Sequence, residues 1–187
     1  MISVFLKSCL RAIKIMIKKY KKNLAGFSLL EVIVVLIIIS IGLMGVINLM
    51  VSSLRVQNSN RDTLVAYNLA QEGLELVRNV RDTNWRQGDA WNHYIEGGVN
   101  GNKYKVDFAH FQPQAVTGID ETLLQFSSTT NQYLYDASSS DSIFKRLITI
   151  TSAGADSPSS TVDCLVEWDD RGNTNRFELQ TELYDWK

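Results

Sequence analysis

Glu31 is the residue whose type and position most clearly require a chemical explanation. It is the only charged residue between Lys22 and Arg55, and it lies near the start of a long apolar run that begins at Phe27. A carboxylate inside a membrane-spanning helix costs about 3 kcal/mol or more, so such residues usually have a function. Because a buried charge is tolerated only beside a partner, the function that Glu31 indicates is assembly.

The rest of the sequence offers no catalytic constellation: no Ser/His/Asp or Cys/His set, no phosphate-binding loop and no metal-ligand cluster. His93 and His110 are isolated and are interpreted as surface or packing residues. Cys164 lies on the apolar face of a predicted strand, which predicts a buried, unreactive thiol. We therefore predict a protein that is not an enzyme and needs no cofactor. One loop contains four residues with side-chain oxygens that make it a weak calcium candidate: Asp169, Asp170, Asn173 and Asn175. Their spacing does not match an EF-hand, so a hairpin turn is the favoured interpretation of this loop.

Charge is divided unevenly along the chain. Seven of the 19 Lys and Arg residues lie in residues 1–26, which contain no Asp or Glu. The remaining 12 bases stand against all 20 acids, so the rest of the chain has a net charge of −8. This division predicts a cytoplasmic basic leader followed by an exported acidic domain. No nucleic-acid partner is predicted, since phosphate contacts need clustered Lys and Arg.

Residues 27–51 predict a membrane-spanning helix. At ~1.5 Å per residue this run is about 37 Å long, which exceeds the bilayer core of about 30 Å. The basic residues that precede it place its N-terminus on the cytoplasmic side. A secretory signal peptide is the competing interpretation, but the apolar run is too long and no clear small-x-small cleavage site follows it.

The sequence after the apolar run predicts one continued helix and several strands. Five small and apolar residues recur at steps of four, three, four and three, which places them on one stripe of a helix: Ala66, Ala70, Gly73, Val77 and Val80. The helix is predicted to end near residue 84. Polar and apolar residues alternate, or Ile and Thr cluster, in four later segments: 103–108, 144–151, 162–168 and 177–183. In the first of these, Tyr104, Val106 and Phe108 are predicted to face the core. A turn is predicted at 169–175, and exposed serine-rich loops at 138–142 and 157–160. The predicted fold class is α+β, a long N-terminal helix with a membrane-spanning first half, packed on a small antiparallel β-sheet.

Residues 26–31, Gly-Phe-Ser-Leu-Leu-Glu, followed by a Val/Ile-rich run, resemble the class III signal of type IV pilins and type II secretion pseudopilins. Residues 66–85 further resemble minor pilins of the type IV pilus modification kind. The resemblance implies a lollipop architecture with a cleaved leader at 1–26, a transmembrane and assembly helix at 27–51 and a soluble pilin-like domain at 52–187. It also implies cleavage between Gly26 and Phe27, N-methylation of Phe27, and pairing of the Glu31 carboxylate with the N-terminal amine of a neighbouring subunit.

The same resemblance implies partners and a location. The expected partners are prepilin peptidase, other pilin subunits, an inner-membrane assembly platform with its ATPase motor, and membrane lipid before assembly. The expected location is the cytoplasmic (inner) membrane with the N-terminus inside, followed by the pilus or the cell surface. Two departures from the family pattern are the long leader, which a start at Met16 would shorten to a typical length, and the absence of proline from residues 27–51. The second leaves open whether this helix partly melts in a filament.

The leading functional prediction is a structural minor pilin or pseudopilin subunit that enters or primes a filament. The motif is shared by pilus, competence and secretion proteins. The alternative, from another class, is a permanently membrane-anchored extracytoplasmic ligand-binding module, which would keep its leader or lack polymer partners.

Overall fold

The computed structural model describes residues 28–110, 112–135, 140–153 and 157–185. The chain divides into two compact units, Met1–Ser53 and Leu54–Lys187. Helix α1, Leu29–Gln87, has 59 residues. The predicted α+β class, a long helix packed on an antiparallel sheet, is confirmed.

Helix α1 ends in a Schellman motif. The N–H of Gly88 donates to the carbonyl of Trp85 (3.3 Å), and the N–H of Asp89 donates to the carbonyl of Asn84 (3.0 Å). Gly88 has a φ of 83°, which glycine adopts at little cost. The helix therefore ends at Gln87, three residues later than the sequence predicts.

Seven strands form one sheet in the described residues: β1 Asn102–Lys105, β2 Gln114–Ala115, β3 Leu123–Ser127, β4 Gln132–Leu134, β5 Ser140–Thr151, β6 Ser159–Asp170 and β7 Asn173–Tyr184. All the strand pairs are antiparallel. On one side β5 pairs with β3 and with β1, which carry β4 and β2 on their outer edges. On the other side β5 pairs with β6, and β6 pairs with β7. A short 3-10 helix, Ile119–Glu121, precedes β3.

The core lies between one face of α1 and the inner face of β5 and β6. The predicted stripe is confirmed, since all five of its residues are buried: Ala66, Ala70, Gly73, Val77 and Val80. A Cβ atom added to Gly73 would lie 2.9 Å from Sγ of Cys164 and 3.1 Å from Cδ1 of Ile148. Glycine at this position therefore lets the helix approach β5 and β6 closely.

The structure corrects one detail near β1. Tyr104 and Val106 are buried as predicted, but Phe108 is 52% exposed. Asp107, a polar residue that alternates with these three in the sequence, is only 2% exposed. The strand ends at Lys105, so the two-residue alternation stops before these positions.

The serine-rich segments are not wholly loops. Ser140 begins β5, and Ser159 begins β6. Ser160 is buried, with 4% exposure. The prediction of exposed loops was wrong for these residues, because their partners in the sheet are distant in sequence and override their turn-forming composition.

Candidate functional site

The N-terminal part of α1 presents an uncovered apolar surface. Its large hydrophobic side chains are exposed, from Leu29 at 78% to Val51 at 42%. An 18-residue stretch has a mean hydropathy of 2.9 and none of it is buried within the chain. The helix is therefore long and apolar enough to cross a membrane.

Glu31 lies in the first turn of this helix and its side chain is exposed. The first turn closes through the N–H of Val32, which donates to the carbonyl of Ser28 at 3.2 Å. A negative charge is favourable here because the first turn carries the positive end of the helix dipole. Within the described residues the next cation in the sequence is Arg55, 24 positions after Glu31.

Gly26 and Phe27, the predicted cleavage and methylation positions, lie outside the described residues. The described helix begins two residues after Phe27, at Leu29. Cleavage after Gly26, methylation of Phe27 and the assembly role of Glu31 therefore stay predictions.

The four calcium candidates surround a tight hairpin turn. Asp170 pairs with Asn173 across a two-residue loop, whose residues Arg171 and Gly172 have φ angles of 57° and 82°. Positive φ at both positions is typical of a type I′ hairpin. The Gly172 N–H donates to Oδ1 of Asp169 at 2.8 Å. The favoured hairpin interpretation is confirmed.

In this hairpin the fourth candidate, Asn175, donates from Nδ2 to the carbonyl of Asn173 at 3.2 Å. Among the described residues no group of three His, Cys, Asp or Glu side chains is placed to hold a metal ion. Side chains of the turn thus bond to its backbone.

The two histidines lie far from the apolar part of α1 in sequence and have local roles. His93 stacks on Tyr94 with ring centroids 3.8 Å apart. Nδ1 of His110 lies 2.9 Å from Oδ1 of Asp107, and the backbone N–H of His110 donates to the same oxygen at 2.8 Å. The other Asp107 oxygen accepts from the N–H of Tyr135 at 2.9 Å, so Asp107 joins the segment after β1 to the end of β4. The interpretation of both histidines as surface or packing residues is confirmed.

Arg146 is a fully buried charge that the sequence analysis missed. Its guanidinium donates to the carbonyl of Leu69 (3.1 Å) and to that of Val106 (2.5 Å), and lies 3.2 Å from Oε1 of Glu72. Tyr135 completes the cluster by donating its hydroxyl hydrogen to the Arg146 carbonyl at 2.8 Å. Burial is the main cause that raises the pKa of Tyr135 to about 12, so the phenol stays a donor at neutral pH. The cluster fixes α1 on the sheet.

A signal for Arg146 exists in the sequence. Phe144, Arg146 and Ile148 occupy alternate positions of one strand, and a period of two places all three on one face. A charged residue that shares a strand face with buried neighbours predicts a buried ion pair. Lys145 lies on the opposite face of the strand and pairs with exposed Asp120 at 2.7 Å.

Cys164 is confirmed as a buried free cysteine, with 0% exposure. Burial is the main cause that raises the pKa of its thiol to about 12. The thiol is therefore protonated at physiological pH and has little nucleophilic character.

Comparison with known proteins bears on the N-terminal segment. The family model described as the prokaryotic N-terminal methylation motif matches residues 21–47. This range contains Gly26, Phe27 and Glu31. A search of curated proteins and a search of solved structures found no significant match. The N-terminal segment of this chain therefore carries the prokaryotic N-terminal methylation motif, which is the signal of type IV pilin-type prepilins.

Proposed function

We propose that this chain is a structural subunit, a minor pilin or pseudopilin, that prepilin peptidase cleaves between Gly26 and Phe27 and that then joins a type IV pilus-like filament. One observation carries the proposal: Glu31 is the only charge in the exposed apolar part of a helix that is long enough to cross a membrane. The family motif over residues 21–47 supports the processing step.

The proposal accounts for the exposed apolar surface. A continuous apolar face from Leu29 to Val51 needs a cover, because soluble monomers rarely expose apolar patches larger than a few hundred Å². Lipid covers it before assembly, and the helices of neighbouring subunits cover it in the filament. No catalytic step is needed, so the protein acts as a building unit and not as an enzyme.

The proposal also accounts for Glu31. Cleavage after Gly26 creates a new amine at Phe27, which is a cation of the kind that the carboxylate lacks within the described residues. An ion pair between Glu31 of one subunit and the amine of its neighbour offsets the cost of burying both charges among packed helices. It also sets the axial position of the incoming subunit.

Membrane orientation and partners follow from the same reasoning. The seven bases in residues 1–26 keep the leader in the cytoplasm, and the acidic domain is exported. The subunit therefore waits in the inner membrane, where the assembly platform and its ATPase motor take it up together with other pilin subunits.

The test is the entry of Glu31 variants into filaments. We expect Glu31→Val to insert in the membrane and to be cleaved, but to be lost from sheared filaments, and Glu31→Asp to enter them only in part because its shorter side chain misplaces the charge. Ser40→Val is the matched control, since Ser40 is a polar residue of the same exposed helix whose hydroxyl only bonds to the carbonyl of Leu36 at 2.7 Å. It should enter filaments normally.

Two measurements complete the test. Mass spectrometry of the purified wild-type protein should find Phe27 as an N-methylated first residue, and retention of residues 1–26 would favour the permanently anchored binding module. If Glu31→Val enters filaments as well as wild type does, the carboxylate does not direct assembly.

A further inference from the structure

Strand β7 is an open edge of the sheet. Within the described residues it pairs on one side only, with β6, through all 12 residues from Asn173 to Tyr184. The strand contains no proline, and its register with β6 has no bulge. Prolines and bulges are among the devices by which proteins prevent pairing at an edge. The edge therefore offers an uninterrupted row of backbone groups to an added strand.

The hairpin turn determines which of these backbone groups are free. Asp170 and Asn173 flank a two-residue loop and so form a hydrogen-bonded pair, after which every second residue of β7 bonds to β6. These odd-numbered residues are at least partly buried from Asn175 to Leu183, so their side chains lie on the α1 side of the sheet. The N–H and C=O groups that point outward belong to the even-numbered residues, whose side chains are all exposed: Thr174, Arg176, Glu178, Gln180, Glu182 and Tyr184.

An open groove of about 260 Å³ lies between α1 and β7 beside this edge. Leu74 and Leu179 supply its apolar surface, and polar side chains complete its lining: Gln71, Glu75, Arg78, Gln180 and Thr181. Gln71 donates to the hydroxyl of Tyr67, which packs edge-on against Phe177 with ring centroids 5.6 Å apart. A strand added to β7 directs every second side chain toward this groove. An open edge beside a groove is the kind of surface that binds extended peptides, since backbone pairing gives affinity and the groove gives specificity.

The outer face of β7 carries two carboxylates that no cation offsets within the described residues. Arg176 is already paired with Glu167 at 2.8 Å, whereas Glu178 and Glu182 form no ion pair there. Glu182 accepts a hydrogen bond from the hydroxyl of Tyr184, which leaves its charge in place. The two carboxylates are four residues apart, which is ~13 Å along a strand. Because opposite charges across two strands stabilise their pairing and like charges destabilise it, the edge favours a strand with Lys or Arg at the same spacing.

We propose that the β7 edge and its groove bind an extended segment of another protein, which adds to β7 as an antiparallel strand. Lys or Arg residues of this segment lie opposite Glu178 and Glu182. Apolar residues at the alternate positions enter the groove over Leu179. Antiparallel addition continues the pairing of the rest of the sheet and is slightly more stable per residue than parallel addition.

A second copy of this chain does not fit the same surface. The other outer strands of the described sheet, β2 and β4, have two and three residues and contain no Lys or Arg. The single base on the outer face of β7 is Arg176, which Glu167 already holds. Antiparallel pairing of two β7 strands would also run the two α1 helices in opposite directions, whereas copies in one membrane share a direction. The occupant is therefore a different protein.

The test uses a synthetic peptide, Thr-Val-Lys-Val-Thr-Val-Lys-Val-Thr, titrated calorimetrically into the full chain in detergent. Opposite residues 176–184 it places its Lys residues at Glu178 and Glu182 and its Val residues toward the groove. We expect it to bind, and a peptide with Glu in place of both Lys residues to bind on the order of 10-fold more weakly or worse. The double variant Glu178→Lys/Glu182→Lys should reverse this preference. Glu121→Lys, an exposed reversal on the 3-10 helix, is the matched control and should leave it unchanged.

A second pair of peptides tests the strand addition itself. N-methylation of both Lys residues removes N–H donors that face β7 and should weaken binding on the order of 10-fold, since each lost donor leaves a carbonyl of β7 unpaired. N-methylation of the two Val residues nearest the centre blocks only N–H groups that point away from β7 and should change the affinity little. Hydrogen exchange of the backbone amides in residues 174–184 should slow when the unmodified peptide is bound.

Three results would overturn the proposal: no binding at about millimolar peptide, equal affinity for the Lys and Glu peptides, or equal losses from the two N-methylated peptides. Circular dichroism should show that the double variant stays folded. Tighter binding of the Glu peptide by this variant then shows that the lost affinity for the Lys peptide comes from charge and not from unfolding.

Discussion

Substitution of Gly73 by alanine should destabilise the soluble domain although it improves the intrinsic helix propensity. The added Cβ would lie 2.9 Å from Sγ of Cys164, 3.1 Å from Cδ1 of Ile148 and 3.2 Å from Cδ of Arg146. Contacts below 3.0 Å between such atoms force a shift. Here the nearest atom belongs to a short side chain on a central strand, which has little freedom to move away.

The expected change in the unfolding free energy is the difference between a gain in helix propensity and a cost in core packing. Alanine in place of glycine inside a helix gains about 1 kcal/mol, and an extra methyl in a well-packed core costs about 1–3 kcal/mol. The net loss of unfolding free energy should therefore be about 1 kcal/mol. Cys164→Ala removes the closest atom, so the double variant should recover much of the loss, with a coupling energy of about 1–2 kcal/mol.

The assay is urea unfolding of the full chain in detergent, followed by tryptophan fluorescence, since Trp91 and Trp168 are buried in the core. Gly118→Ala is the matched control, because a Cβ at Gly118 meets nothing within 4 Å. It should change the unfolding free energy by less than about 0.5 kcal/mol. The reasoning is refuted if Gly73→Ala is at least as stable as wild type and shows no coupling to Cys164→Ala.

Two further predictions concern the buried polar groups. Arg146→Met should reduce the unfolding free energy by about 2–4 kcal/mol, because the carbonyl of Val106 loses a charged donor inside the core. In the same urea assay the control Lys145→Met should reduce it by less than about 1 kcal/mol, since the ion pair of Lys145 is exposed. Equal losses for the two variants would contradict the prediction. In a Cys9→Ser background, Cys164 should not react with a thiol reagent at pH 8 while the protein is folded, because the thiol is covered and its pKa of about 12 keeps it protonated. In urea the thiol should react at once. Stoichiometric labelling of the folded protein would show that the core opens locally.

The parts of the fold that the sequence predicted are those determined by neighbours in the chain. The stripe from Ala66 to Val80 follows from helical periodicity, which tertiary contacts do not alter. The β6–β7 hairpin follows from the residues of its turn, where Gly172 supplies a positive φ. The family motif at 26–31 is also local, so the candidate site could be identified from a short segment.

The parts that it missed depend on residues distant in sequence. Asp107 is buried because it accepts from Tyr135 of another strand end, and no pattern near residue 107 indicates that partner. Strands β3 and β4 are three to five residues long, too short for periodicity to separate them from loops. Arg146 was in phase with the core, but its partners on α1 become visible only when the helix is placed on the sheet.

The hydrogen bond between Arg146 and the carbonyl of Leu69 has a consequence for biogenesis, because it joins residues 77 positions apart. The stripe on α1 is covered by β5 and β6, whose residues follow it at similar distances along the chain, and closing loops of that size is slow and entropically costly. The domain therefore has no N-terminal portion that can complete a core by itself while the chain is being synthesised. Until β6 has emerged, the apolar stripe is open to wrong contacts, so the interval between emergence of α1 and emergence of the last strands is the period in which this protein most needs protection.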